Sequence, residues 1–153
     1  MAGANINFIF MNPFEFYQDH KNEWRWRLLD ANKHQWADSG EGYEQKSSCE
    51  KGAQLFTTLG PNASKRKVVE PSEEGNGPEW EYYQDRQQKW RWRFQAGNNK
   101  ILADGTRGYS TEQEVLDAIK TVINLLKESS KGTGNGSYVP PIVGGATGGG
   151  RFA

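Results

Sequence analysis

The sequence predicts an α+β fold of two tandem βββα repeats, whose strands form antiparallel sheet packed against two helices. Three observations carry that prediction. Residues 14–56 align without a gap onto residues 80–122, with 13 identities in 43 positions, where chance gives roughly two or three, so the chain is a duplication. In each copy polar and apolar residues first alternate with period two, as in a half-buried strand. Each copy then changes to apolar residues three and four apart, as in a helix buried by one face.

The elements follow in order. The first copy opens Phe14-Glu15-Phe16-Tyr17-Gln18-Asp19 and the second Trp80-Glu81-Tyr82-Tyr83-Gln84-Asp85. After a polar loop each reaches Trp-Arg-Trp-Arg, as Trp24 to Arg27 and as Trp90 to Arg93. Parity sets the hairpin register, because a slip of one residue would pair core with solvent. Phe16 then faces Trp26, and on the outer face Tyr17 stands opposite Arg25 and Glu15 opposite Arg27. The second copy repeats this with Tyr83 opposite Arg91 and Glu81 opposite Arg93. Opposite charges placed across a hairpin contribute about 0.2–1 kcal/mol. A third strand is expected near Gln35 to Asp38 and Ile101 to Asp104, after turns at Asn32 and Asn98-Asn99. Ser47 with Glu50, and Thr111 with Glu114, have capping-box spacing and mark helix starts. Val115, Ala118, Ile119, Val122, Ile123 and Leu126 form one apolar stripe. Cys49, Ala53, Phe56 and Leu59 form a weaker one, interrupted by Gly52.

These signals divide the chain into an N-terminal extension (1–13), repeat one (14–60), a linker (61–79), repeat two (80–130) and a glycine-rich tail (131–153). The linker has three prolines and no apolar periodicity, and runs from the basic Lys65-Arg66-Lys67 to the acidic Glu70, Glu73, Glu74 and Glu79. Residues 132–153 hold eight of the 18 glycines, too little apolar surface to build a core. At 153 residues and 35% hydrophobic composition the core is lean, and the 12% of aromatic residues must supply much of it. Nineteen basic residues balance nineteen acidic ones, which removes a bulk-charge argument for nucleic acid or anionic membrane. No apolar run approaches the roughly 20 residues of a membrane span, and the start, Met1 to Asn7, lacks the basic and apolar regions of a signal peptide. The single cysteine, Cys49, excludes an internal disulfide and fits a reducing compartment. The expectation is a soluble, cytoplasmic protein.

The order Phe/Trp-Glu-x-Tyr-x-Asp, then Trp-Arg-Trp-Arg, then Ala37-Asp38-Ser39-Gly40-Glu41-Gly42-Tyr43 and a helix with a buried small residue resembles the YegP-like family. Those are small tandem-repeat proteins of unknown function. The resemblance covers both copies. It implies a βββα–βββα fold in which the copies complete one antiparallel sheet with helices packed on it, and that single-copy members dimerise to the same arrangement. It carries over no catalytic residue. The extension, the long linker and the tail depart from the family pattern.

The Trp-Arg-Trp-Arg element brings together the residue types that stack on bases and hold phosphates. Alternation separates them: Trp24, Trp26, Trp90 and Trp92 are expected in the core, and Arg25, Arg27, Arg91 and Arg93 on the opposite face. Cys49 aligns with Val115 and is expected to be buried. His20 and His34 lie in separate turns, so no metal or cofactor is expected. Asp38 and Asp104 precede glycine turns and are expected to cap backbone. Gly42 and Gly108 are expected to adopt a backbone conformation closed to other residues. The functional expectation is a non-enzymatic binding or assembly module, an accessory subunit of a larger protein complex with its termini as docking segments. Its partner-contact candidates are Tyr17, Arg25, Arg27, Tyr83, Arg91 and Arg93 on the sheet, and Tyr138, Ile142 and Phe152 in the tail. The alternative is a nucleic-acid-associated protein using the outer Arg/Tyr face.

Overall fold

The structure, a computed structural model, describes residues 12–71 and 77–134. The first copy folds as β1 (Phe14–Gln18), β2 (Trp24–Leu29), β3 (Gln35–Ser39) and α1 (Lys46–Leu59). A short strand β4 (Ser64–Lys67) follows, and the second copy folds as β5 (Glu79–Gln84), β6 (Trp90–Gln95), β7 (Ile101–Gly105) and α2 (Glu112–Gly134). All seven strands form one sheet in the order β1-β2-β3-β7-β6-β5-β4. The fold is the α+β duplication that the sequence predicts. β3 and β7, the last strand of each copy, pair antiparallel and join the copies directly.

Both hairpins keep the register set by parity: Phe16 faces Trp26 and Tyr82 faces Trp92. Equivalent turns use equivalent geometry. Asp19 Oδ1 accepts the N–H groups of Lys21 (2.8 Å) and Glu23 (3.0 Å), and Asp85 Oδ1 accepts those of Gln87 and Lys89 at the same distances. The left-handed backbone these turns require falls on Asn22 and Gln88, and in the next turns on Lys33 and Asn99, each with φ of 65–69°. Gly42 and Gly108 are needed for a different reason from the one expected. The space a Cβ would occupy is filled by the Glu23 side chain at Gly42 and by the Lys89 side chain at Gly108.

The helices cover one face of the sheet and close a single core. Phe56 of α1 packs on Trp26 of its own copy (5.6 Å between ring centroids) and on Phe94 of the other (5.2 Å); Phe94 in turn meets Trp80 at 4.9 Å. One aromatic chain therefore crosses the repeat boundary, so the two copies share their burial. Every residue of the α2 stripe from Val115 to Leu126 is buried, as are Cys49, Ala53 and Phe56 in α1.

Four further expectations need correction. Trp26 and Trp92 are buried, but Trp24 and Trp90 are only half-buried. They point to the core side at the strand ends, where Lys46 and Lys67 lie over their rings at 5.3 and 5.4 Å. The segment 61–79 is not only a linker: β4 pairs parallel with β5. Helix α1 starts at Lys46 behind an uncapped Gln45, so Ser47 lies within the helix and forms no box with Glu50. At α2 the box is present, Thr111 Oγ1 accepting the Glu114 N–H and Glu114 Oε1 accepting the Thr111 N–H, both at 3.1 Å. That helix runs on to Gly134, beyond the expected boundary at 130.

Candidate functional site

The sheet face away from the helices carries the six sheet residues singled out by sequence. Alternation along β2 and β6 turns Arg25, Arg27, Arg91 and Arg93 outward, and β1 and β5 add Tyr17 and Tyr83. Arg25 Nε donates to Asp19 Oδ2 at 2.7 Å, and Arg91 Nε to Asp85 Oδ2 at 2.7 Å. Arg25, helped by the loop N–H groups, holds the Asp19 carboxyl down at about 2, and Arg91 lowers Asp85 likewise. The Arg27 guanidinium lies 4.0 Å from the centroid of the Tyr17 ring and 3.4 Å from Glu15.

The registers of all seven strands place one charged residue per strand in a single row. From edge to edge it reads Glu15, Arg27, Asp38, Asp104, Arg93, Glu81, Arg66. Sign alternates throughout except at the centre, where Asp38 and Asp104 are direct cross-strand partners. On the second-repeat side the row is closed by hydrogen bonds. Arg93 Nε donates to Glu81 Oε1 at 3.0 Å, and Arg66 Nη2 to Glu81 Oε2 at 2.9 Å and to Glu79 Oε2 at 2.7 Å. Glu81 is fully buried beneath them, whereas the Glu15 side chain at the other end is 51% exposed.

Of the two aspartates expected to cap backbone, Asp38 takes a backbone hydrogen bond from Ser39, but neither sits in a turn. They lie within β3 and β7, and the Tyr17 hydroxyl donates to Asp38 Oδ1 at 3.4 Å. Desolvation raises both carboxyls above the usual value; Arg25 and Arg27 oppose this at Asp38, and Arg93 opposes it at Asp104, where the Asp38 charge adds to the rise. Like charges side by side, half out of water, cost free energy. The sequence held a signal for this pairing. When the last strands of two repeats pair about a local two-fold, residues at equivalent positions meet, and Asp38 and Asp104 are equivalent positions of identical type.

Cys49 is buried under α1 as expected, and desolvation pushes its thiol up to about 12. Among the described residues no three His, Cys, Asp or Glu side chains gather to hold a metal ion. No helix among them is long and apolar enough to cross a membrane. Tyr138, Ile142 and Phe152 lie outside the described residues.

A seven-stranded sheet made by fusing two βββα units, with both helices on one face and an ordered polar array on the other, defines a class of tandem-repeat α+β proteins. The chain belongs to the family described as a domain of unknown function (DUF1508), whose model matches it twice, over residues 19–66 and 85–127. Among relatives, it is 48% identical to the UPF0339 protein NMB1088 of Neisseria meningitidis over 43 residues, 28% of this chain and 75% of that one. Two solution structures share the fold, each with a TM-score of 0.58 over 74% of this chain. One is the protein of unknown function yegP from E. coli (24% identical, 84% of its chain covered), the other the UPF0339 protein SO3888 from Shewanella oneidensis (19%, 83%).

Proposed function

We propose that the protein is a non-enzymatic binding module that works within a larger protein assembly, with the open face of the sheet as its contact surface. The observation that supports this reading is the charged row. On its second-repeat side Arg93, Glu81 and Arg66 are held by hydrogen bonds, so a partner meets a surface that needs little further ordering there, which lowers the entropic cost of association. Two aspartates at its centre are direct cross-strand partners, a placement that like charges disfavour; such locally unfavourable groups fit a surface kept for recognition.

The same row argues against the nucleic-acid alternative. It contains four acids to three arginines, and every arginine in it lies beside at least one carboxylate. A phosphate backbone would have to displace those partners.

The test is affinity purification of the tagged native protein over a salt series, for wild type and for the Tyr17→Ala/Tyr83→Ala double variant. A partner protein held by wild type and lost by the variant at unchanged melting temperature supports the reading. Retention at full yield refutes the open face as the contact. Labelled single-stranded and duplex oligonucleotides, titrated in parallel, decide the alternative: tight binding that weakens steeply with salt would establish it.

A further inference from the structure

The two edges of the sheet differ although the repeats are equivalent. β5 is covered by β4, whose following residue Val68 donates its N–H to the Tyr82 carbonyl at 2.9 Å and whose Arg66 closes the charged row on Glu81. β1, the repeat equivalent of β5, has no strand on its outer side among the described residues. Leu29 N–H donates to the Pro13 carbonyl and Asp19 N–H to the Glu23 carbonyl, both at 2.9 Å. The odd-numbered residues of β1 therefore bond to β2, and those between them turn their N–H and C=O groups outward. Phe14 N–H finds Asn12 Oδ1 at 3.0 Å. Among the described residues the outward groups of Phe16 and Gln18 have no strand beside them, and Phe16 is the equivalent of Tyr82, the residue that receives β4.

Bare edges invite pairing with another chain, and proteins usually blunt them with charge. β4 does this at one end with Lys65, Arg66 and Lys67. β1 carries a single charge, Glu15, which has an arginine on the β2 side only. On the helix side of this edge Phe14, Phe16 and Ala53 line a shallow pocket that includes one acid, Glu50, whose carboxyl is raised by burial against the opposing charge of Lys46.

We propose that the outer edge of β1 accepts, by strand addition, a short basic extended segment of a partner protein, parallel to β1 and with an arginine or lysine beside Glu15. Main-chain bonds to Phe16 and Gln18 give the affinity, and the cation that completes the charged row gives the selectivity. The chain holds a template for this complex in the pairing of β4 with β5. The inference goes beyond the open-face reading and is tested on different residues.

The probe is a fluorescein-labelled peptide with the sequence of residues 63–69, titrated into the full-length protein by anisotropy, with amide NMR shifts to locate it. Saturable binding with shifts at Phe16 and Gln18 is expected. Glu15→Arg should weaken it at least about tenfold, the worth of one charge-assisted hydrogen bond. A peptide with Glu in place of its arginine should bind the Glu15→Arg protein better than it binds wild type. Phe16→Pro removes an outward N–H without touching the β1–β2 ladder and should also weaken binding; if that variant fails to fold, the charge exchange alone decides. No saturable binding, an unchanged affinity for Glu15→Arg, or shifts at Tyr82 from exchange with β4 would each overturn the proposal. Self-association of the protein that Glu15→Arg abolishes would make a second copy the occupant and overturn the partner segment.

Discussion

Glu15 and Glu81 are the same residue of the repeat in two environments, and truncating each to alanine measures what environment does to an ion pair. Glu81 is fully buried and receives Arg93 at 3.0 Å and Arg66 at 2.9 Å. Removing it withdraws the carboxylate from Arg93, whose side chain is 15% exposed, and breaking a buried pair in this way costs about 3–5 kcal/mol. Arg66 keeps Glu79 at 2.7 Å, which places the expected loss toward the lower end of that range. Glu15 is 51% exposed and meets Arg27 at only 3.4 Å, so its removal should cost about 0–1 kcal/mol. Urea unfolding of both alanine variants, with Glu81→Gln to keep the volume while removing the charge, gives the comparison. Glu81→Ala should lower the melting temperature by roughly 10 °C or more, and Glu15→Ala by no more than a few degrees. Equal losses at the two positions would refute the argument, because sequence and register are the same at both and only burial and the cover by β4 differ.

Trp26→Ala and Trp92→Ala should each destabilise by about 3–5 kcal/mol, and Trp24→Ala by less because its ring is half in solvent; urea unfolding checks the order. Asp38 and Asp104 have raised folded values, so their contribution is fully present below the ordinary carboxylate value and is lost as pH rises through the raised ones. Asp38→Asn/Asp104→Asn should therefore raise the melting temperature at neutral pH relative to wild type and leave it little changed near pH 4. Asp19 and Asp30, both held at about 2, work in the opposite sense: their stabilisation is present above the ordinary 3.8 and is lost as pH falls from there toward 2, so melting below pH 4 should be less steep in Asp30→Asn. Cys49, buried and with its thiol pushed up to about 12, should react with iodoacetamide at neutral pH far more slowly in the native protein than in urea.

What the sequence made legible is what local pattern controls. Parity determined both hairpin registers, and spacing determined the buried stripe of α2 and the burial of Cys49. Parity assigns a face but not a depth, and so Trp24 and Trp90 read as core although the rim of the sheet leaves them half exposed. β4 has no local signal at all: Ser-Lys-Arg-Lys neither alternates nor favours a strand, and it becomes one because β5 offers it an edge and two carboxylates. Ser47 and Glu50 have the spacing of a cap two residues too late, while the repeat alignment puts Gln45 at the position of Thr111. The central aspartates were visible as a repeated identity, yet their meeting depends on β3 pairing with β7, a contact between residues 66 positions apart in sequence.

Taken together, the differences between the copies fall on one side. The second repeat has the capped helix, the buried Glu81 and the edge covered by β4; the first has an uncapped helix, an exposed Glu15 and, among the described residues, an open edge. A duplicated fold needs both hairpins, both stripes and the β3–β7 seam, and these are the parts that remained alike. It does not need both edges finished. A core shared by both repeats supports the first while it leaves outward backbone groups on β1 and a half-exposed Glu15 paired on one side, and such an edge on a stable sheet is a place for strand addition. The asymmetry thus links the two proposals: the row of charges is complete where the chain supplies its own last strand, and it stops one residue short where another chain can supply it.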